Sequence, residues 1–180
     1  MPARTARRPR TAAPAAPSAF APQKAGASAR DLALFEIERA RVAVMAAVQG
    51  LPPAGAERPV GSGGWSIREL VLHLAVRDQA RLDEFDALLA GTPPSWDPRD
   101  YTGRDAANAA DLAPLRGLTW AQALERMELT RERLRARLHA APAAPAERWT
   151  AAHPFGATML ELVRHDRHHA EQIKRARISS

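Results

Sequence analysis

Three helix-start signals constrain the fold of this chain more than any other feature of its sequence. Each is a Ser or Thr followed three residues later by Glu or Gln: Ser66 with Glu69, Thr119 with Gln122, and Thr158 with Glu161. In such a capping box, the two side chains accept hydrogen bonds from backbone N–H groups that the first turn leaves without partners. Apolar residues at spacings of three and four follow each signal, which indicates amphipathic helices.

The sequence therefore predicts four helices, each of about 20 residues. The first begins near Ser28–Asp31 and ends near Gly50, and we assign its core-facing stripe to Leu34, Ile37, Ala40, Arg41, Val44, Ala47 and Val48. The others are predicted over residues 66–90, 120–140 and 158–177, with a short additional helix over residues 106–112. We assign the run of Glu and Arg residues in the 120–140 helix to a solvated face.

The connection between the second and third predicted helices is the longest inside the domain. Residues 91–118 are rich in Pro, Gly and Asp and exceed the usual length of a link between antiparallel neighbours. No segment shows the alternating pattern of a strand. These features predict an all-α fold, a four-helix bundle with a long crossover between helices two and three.

The N-terminal residues have a different composition from the rest of the chain. Residues 1–30 hold six of the 26 basic residues and none of the 20 acidic ones, so residues 31–180 carry 20 of each. Their many prolines and few large apolar residues predict a disordered basic tail over residues 1–28, before a folded domain over residues 29–180. Because that domain is formally neutral, no specific nucleic-acid partner is predicted. The chain has no apolar run long enough for a membrane helix, and we expect a cytoplasmic protein.

Two histidines fall on the core-facing stripe of the last predicted helix. His165 and His169 are four residues apart and lie between Leu162 and Ile173 on that stripe, so their rings share one face. A buried imidazole needs a partner, and such a pair is a common way to hold a metal ion. The pair alone also fits two core histidines bonded to carbonyls or carboxylates. The absence of cysteine excludes thiolate ligands and cysteine nucleophiles.

Two segments carry a family resemblance: GGWSIRELVLHLA at residues 63–75 and RHDRHHAEQI at residues 164–173. Together they resemble the signature segments of the DinB/YfiT-like superfamily, and the resemblance covers about residues 31–177. It implies a DinB-like four-helix bundle whose metal is held by one histidine of helix two and two of helix four. Those positions are His73, His165 and His169 here. We therefore expect the three rings to converge on a divalent transition metal, for which Zn²⁺ or Ni²⁺ suits nitrogen ligands.

Three neutral imidazoles leave positions on the ion open for water or substrate, as in reactive metal sites. The first hypothesis is a metal-dependent enzyme that activates water or a substrate thiol. The resemblance implies a hydrolase or a thiol S-transferase acting on a small molecule, possible substrates including a low-molecular-weight thiol. It also implies a homodimer. The second hypothesis is a non-catalytic, stress-related binding protein whose metal site is structural or vestigial. No catalytic residue beyond the ligands is predicted.

Three residues beside the predicted ligands have simpler roles than metal binding. Asp166 could orient a ligand imidazole, but its position favours an ion pair with an arginine. Trp65 precedes the Ser66 cap and is predicted to act as a hydrophobic staple. His168 falls at the edge of the histidine stripe, and we place it either on the surface or directly behind the predicted ligands.

Overall fold

The computed structural model describes residues 28–61, 64–92, 103–141 and 146–178. Six α-helices lie within these residues: α1 (Ala29–Val48), α2 (Pro53–Ala56), α3 (Ile67–Leu89), α4 (Arg104–Leu112), α5 (Trp120–Ala140) and α6 (Pro154–Ile178). The same residues form no strand, only an isolated bridge between Pro59 and Ser66. The all-α prediction is therefore confirmed. The predicted tail, up to residue 27, lies outside the described residues, so the division into tail and domain stays a prediction.

Three long helices begin where the sequence signals place them. The N–H group of Glu69 donates to Ser66 Oγ at 3.2 Å, and the N–H group of Ser66 donates to Glu69 Oε2 at 3.0 Å. The same reciprocal bonds join Ser28 with Asp31 at the start of α1, and Thr119 with Gln122 at the start of α5. Each capping box satisfies backbone donors that the first turn cannot, which is why a local sequence pattern is sufficient to position these starts.

The start of α6 differs from the prediction. The helix begins at Pro154, four residues before Thr158, and Thr158 is buried inside it. The predicted capping box of Thr158 and Glu161 is therefore wrong. Pro154 suits a first helical position because the N–H group it lacks would have had no partner there.

Contacts before Pro154 explain the earlier start of α6. His153 Nδ1 accepts a hydrogen bond from the N–H group of Phe155 at 3.2 Å, so an imidazole replaces the predicted hydroxyl cap. The helix also packs closely on the preceding turn, because a Cβ atom built on Gly156 would lie 2.1 Å from the carbonyl oxygen of Thr150. Only glycine leaves room for this approach. The short helix α2 was not predicted, and it begins with Pro53 at a position that proline favours.

The four long helices pack in two pairs. Helix α1 lies against α6, α3 lies against α5, and contacts between α3 and α6 join the pairs. The short helix α4 packs on α3. Buried apolar residues form two clusters. Each of the four long helices contributes residues to both clusters, to one with residues nearer its start and to the other with residues nearer its end. The core is thus divided along the helix axes, with a polar layer between its two apolar parts.

The centre of that layer is a network of four buried charged residues, one from each long helix: Arg41, Asp78, Arg131 and Asp166. Arg41 donates to both carboxylate oxygens of Asp166 at 3.1 Å, and Arg131 donates to both oxygens of Asp78 at 3.0 and 2.8 Å. Two cross contacts close the network, from Arg41 to Asp78 at 3.0 Å and from Arg131 to Asp166 at 2.9 Å. Each residue is at most 6% exposed. Opposite charges in bidentate contact make such burial tolerable.

This network corrects one prediction and confirms two. Arg131 belongs to the run that the sequence assigns to a solvated face, but it is buried, so that assignment is wrong for Arg131. The sequence pattern predicts Arg41 on the core-facing stripe, and Arg41 does face the core. The ion pair favoured for Asp166 is also present. The carboxylate of Asp166 therefore holds the helices together and does not orient a ligand imidazole.

Candidate metal centre

Three histidine rings meet between α3 and α6, beside the charged network. His73 lies in the second turn of α3, and His165 and His169 lie one turn apart on α6. His165 Nε2 is 2.9 Å from His73 Nε2 and 3.0 Å from His169 Nε2. One nitrogen from each ring lies within 4.8 Å of the other two. The structure thus brings together the residues that the resemblance implies as ligands, although His73 and His165 are 92 positions apart in sequence.

Burial keeps these rings uncharged. His73 is 4% exposed and His169 is 8% exposed. Burial lowers the pKa of His73 to about 3 and that of His169 to about 4. Burial also lowers the pKa of His165 well below 6.5, and the two neighbouring imidazoles add to that effect. The three rings are therefore neutral at pH 7, which is the form that binds a metal ion.

The lowered pKa values predict that the metal-free protein becomes less stable as the pH falls from 6.5 towards 4. Well above pH 6.5 the three rings are neutral in both the folded and the unfolded chain. Below it, the unfolded chain takes up protons that the folded centre excludes, and this favours unfolding. Each unit of difference in pKa is worth about 1.4 kcal/mol per group. Urea denaturation at about pH 7.5 and about pH 5 measures the change in the free energy of unfolding.

A His169→Gln variant is the control for this pH dependence. It lacks one of the three suppressed imidazoles, so its free energy of unfolding should fall less than that of the original chain over the same pH interval. Equal losses in both proteins would show that the dependence comes from other groups.

Trp65 and Gln172 each contact one of the predicted ligands. The Trp65 ring lies 5.0 Å from the His73 ring, centroid to centroid, so this residue both precedes the α3 cap and covers a predicted ligand. Gln172 Oε1 lies 2.7 Å from His169 Nδ1. His168 is exposed, which agrees with the first of its two predicted positions. Sequence reasoning missed Gln172, and its position three residues after His169 was the available signal, because such residues are neighbours on a helix.

Charged side chains continue along α3 beyond His73. Arg77 and Arg81 follow at intervals of four residues, so they share one face of the helix with the histidine. Arg81 is buried and forms an ion pair with Glu84, which is also buried. Arg77 contributes to the lowered pKa of both His73 and His165. Charged side chains of α3, including Arg77 and Arg81, therefore adjoin the histidine centre, and the sequence pattern did not predict them.

The donor atoms fit a divalent transition metal. An ion bonded to two imidazole nitrogens at 2.0–2.1 Å in tetrahedral geometry sets those nitrogens about 3.3 Å apart. The two Nε2 distances of 2.9 and 3.0 Å are close to this value. Neutral nitrogen donors suit Zn²⁺ and Ni²⁺ better than Mg²⁺ or Ca²⁺, which prefer oxygen. Three protein ligands also leave a coordination position available to water or substrate.

The fold and the site define a class of all-helical protein with a candidate three-histidine metal centre between two long helices. A family model described as the DinB superfamily matches residues 36–173. The chain belongs to the DinB superfamily. No curated protein and no solved structure is significantly similar to it. None of the described helices combines the length and the apolar character needed to cross a bilayer.

Proposed function

We propose that this protein is a metal-dependent enzyme in which His73, His165 and His169 hold a divalent Zn²⁺ or Ni²⁺ ion. The observation that carries the proposal is the convergence of three neutral imidazoles, two buried and one half-buried, through their Nε2 atoms. When bound, the metal would lower the pKa of a coordinated water or substrate thiol and so supply a nucleophile at neutral pH. The proposed reaction is either hydrolysis of a small molecule or thiol S-transfer with a low-molecular-weight thiol as co-substrate.

The surroundings of the centre support a negatively charged nucleophile. The guanidinium group of Arg77 is close enough to disfavour protonation of both His73 and His165. The same positive charge would stabilise a hydroxide or thiolate beside the ligands. Trp65 covers His73 and limits the access of water to that ring. Arg77 would thus stabilise the negative charge of the nucleophile, and Trp65 would shield His73 from water. The three histidines would hold the ion.

The test is metal-dependent turnover by the purified full chain. The protein loaded with Zn²⁺ or Ni²⁺ is assayed with ester substrates, and with low-molecular-weight thiols paired with electrophiles. The metal-free protein and a His165→Ala variant are assayed in parallel. His168→Ala is the matched control, because His168 is a histidine of the same helix but is exposed. We expect turnover in the loaded original chain and in His168→Ala, and none in the other two.

A second outcome would favour the alternative function, a non-catalytic, stress-related binding protein with a structural or vestigial metal site. In that case the loaded protein shows no turnover, and it binds thiols or electrophiles equally well with and without metal. Calorimetric titration of the loaded and metal-free proteins separates the two cases. The homodimer and the cytoplasmic location stay predictions alongside either function.

A further inference from the structure

The contact between His169 and Gln172 bears on the position of a proton in the candidate metal centre. Gln172 Oε1 is 2.7 Å from His169 Nδ1. An amide oxygen can only accept a hydrogen bond, so with the amide in this orientation Nδ1 carries the proton. A neutral imidazole has one N–H group, and its Nε2 atom then holds a lone pair. In His169, that lone pair is on the nitrogen that lies 3.0 Å from His165 Nε2.

Several features favour the neutral, Nδ1-protonated form of His169. The ring is 8% exposed, and a buried imidazolium would need a compensating charge. Of the two carboxylates near His169 on the same helix, buried Asp166 is engaged by two arginines and exposed Glu171 pairs with Lys174. Gln172 follows His169 by three residues on α6, so the backbone of one helix sets both side chains at a suitable distance. Among the described residues, His169 is the only one of the three histidines whose Nδ1 has a hydrogen-bond partner.

We propose that Gln172 is a positioning residue that holds His169 as the Nδ1–H tautomer and so presents its Nε2 lone pair to the metal. This inference rests on the proposed metal centre and deepens it. Without the amide oxygen, His169 could move its proton to Nε2, where it would block coordination. A neutral amide also orients the ring without adding negative charge to the centre. A carboxylate at this position would orient it equally well and make the imidazole a stronger donor.

The test reads the tautomer directly. Long-range ¹H–¹⁵N correlation NMR of the metal-free protein distinguishes a protonated from an unprotonated ring nitrogen in each histidine. Three variants are compared with the original chain: Gln172→Met removes the acceptor at similar size, Gln172→Glu retains it, and Glu171→Gln is the control. Glu171 is exposed and forms an ion pair with Lys174, away from the histidines. We expect the Nδ1–H tautomer of His169 in all proteins except Gln172→Met, which should show an Nε2–H population.

Zinc affinity, measured by competition with a chelator, provides a second readout. Loss of a hydrogen bond behind a metal ligand weakens binding by about 10- to 100-fold, so this loss is expected for Gln172→Met. Gln172→Glu should bind at least as tightly as the original chain, and Glu171→Gln should bind equally. An Nε2–H tautomer of His169 in the original chain, or a tautomer that Gln172→Met leaves unchanged, would overturn the role of Gln172. Failure of the original chain to bind zinc would instead overturn the proposed metal centre.

Discussion

Replacing Arg131 with methionine is expected to destabilise the protein by about 3–5 kcal/mol. Arg131 is 5% exposed and makes bidentate contact with Asp78 and a further contact with Asp166. Its loss leaves two buried carboxylates with Arg41 as the one remaining arginine of the network. For a chain of this size, each 1 kcal/mol corresponds to about 2–4 °C in Tm, so a decrease of roughly 10 °C is expected. Urea denaturation and thermal melting of the metal-free protein measure both quantities.

Two further variants show whether the loss comes from unbalanced charge. Arg133→Met removes an exposed arginine from the same helix, and its effect should stay within about 0.5 kcal/mol. Adding Asp78→Leu to Arg131→Met leaves one arginine paired with one aspartate, so the double variant should lose less than the sum of the two single losses. If Arg131→Met proved as mild as Arg133→Met, the network would not contribute to stability as proposed.

Replacing His165 with alanine is expected to weaken zinc binding by at least about 100-fold, more than the loss of a residue behind a ligand. The Nε2 atom of His165 lies within 3.0 Å of the Nε2 atoms of both other rings. The variant therefore lacks the ligand that contacts both of the others. Zinc present at about 100 times its dissociation constant should stabilise the original chain by about 2.7 kcal/mol. The same zinc concentration should leave the stability of the variant nearly unchanged. Thermal melting with zinc, and after its removal by a chelator, measures the difference.

His168→Ala is again the suitable control, because it removes a neighbouring exposed imidazole from α6. It should retain the zinc-dependent increase in Tm. If the increase persisted in His165→Ala and disappeared in His168→Ala, the ion would be bound at the helix surface, and the assignment of His73, His165 and His169 would be wrong.

Local signals predicted most of the helical framework. The capping boxes at Ser66 and Thr119 positioned two helix starts, because each bonds the first turn to itself. The first helix begins within its predicted range, where the structure shows a further box of Ser28 and Asp31. The signal at Thr158 failed because residues before it, including Pro154 and Gly156, allow an earlier start that packs against the preceding turn. That packing depends on the path of the chain through Thr150, which no local pattern contains.

The three histidines of the candidate metal centre were predicted, but the residues that surround them were not. The spacing of His165 and His169 identified a pair on one helix face, and the family resemblance supplied His73. The contact of Trp65 with His73 depends on how the segment before α3 folds back on the helix. Gln172 is a helical neighbour of His169 in the sequence, but only the folded structure shows that its oxygen contacts Nδ1.

The sequence by itself determined the helical class, three of the four long-helix starts, and the face of α6 that carries two histidines. Each of these follows from interactions within a few residues along the chain. Tertiary structure alone decided that Arg131 turns inwards to Asp78 and Asp166. An arginine in a run of charges is equally compatible with solvent, and only carboxylates brought by other helices make its burial favourable. Packing of α3 against α6 likewise decided that His73 meets the histidine pair, because that contact joins residues 92 positions apart.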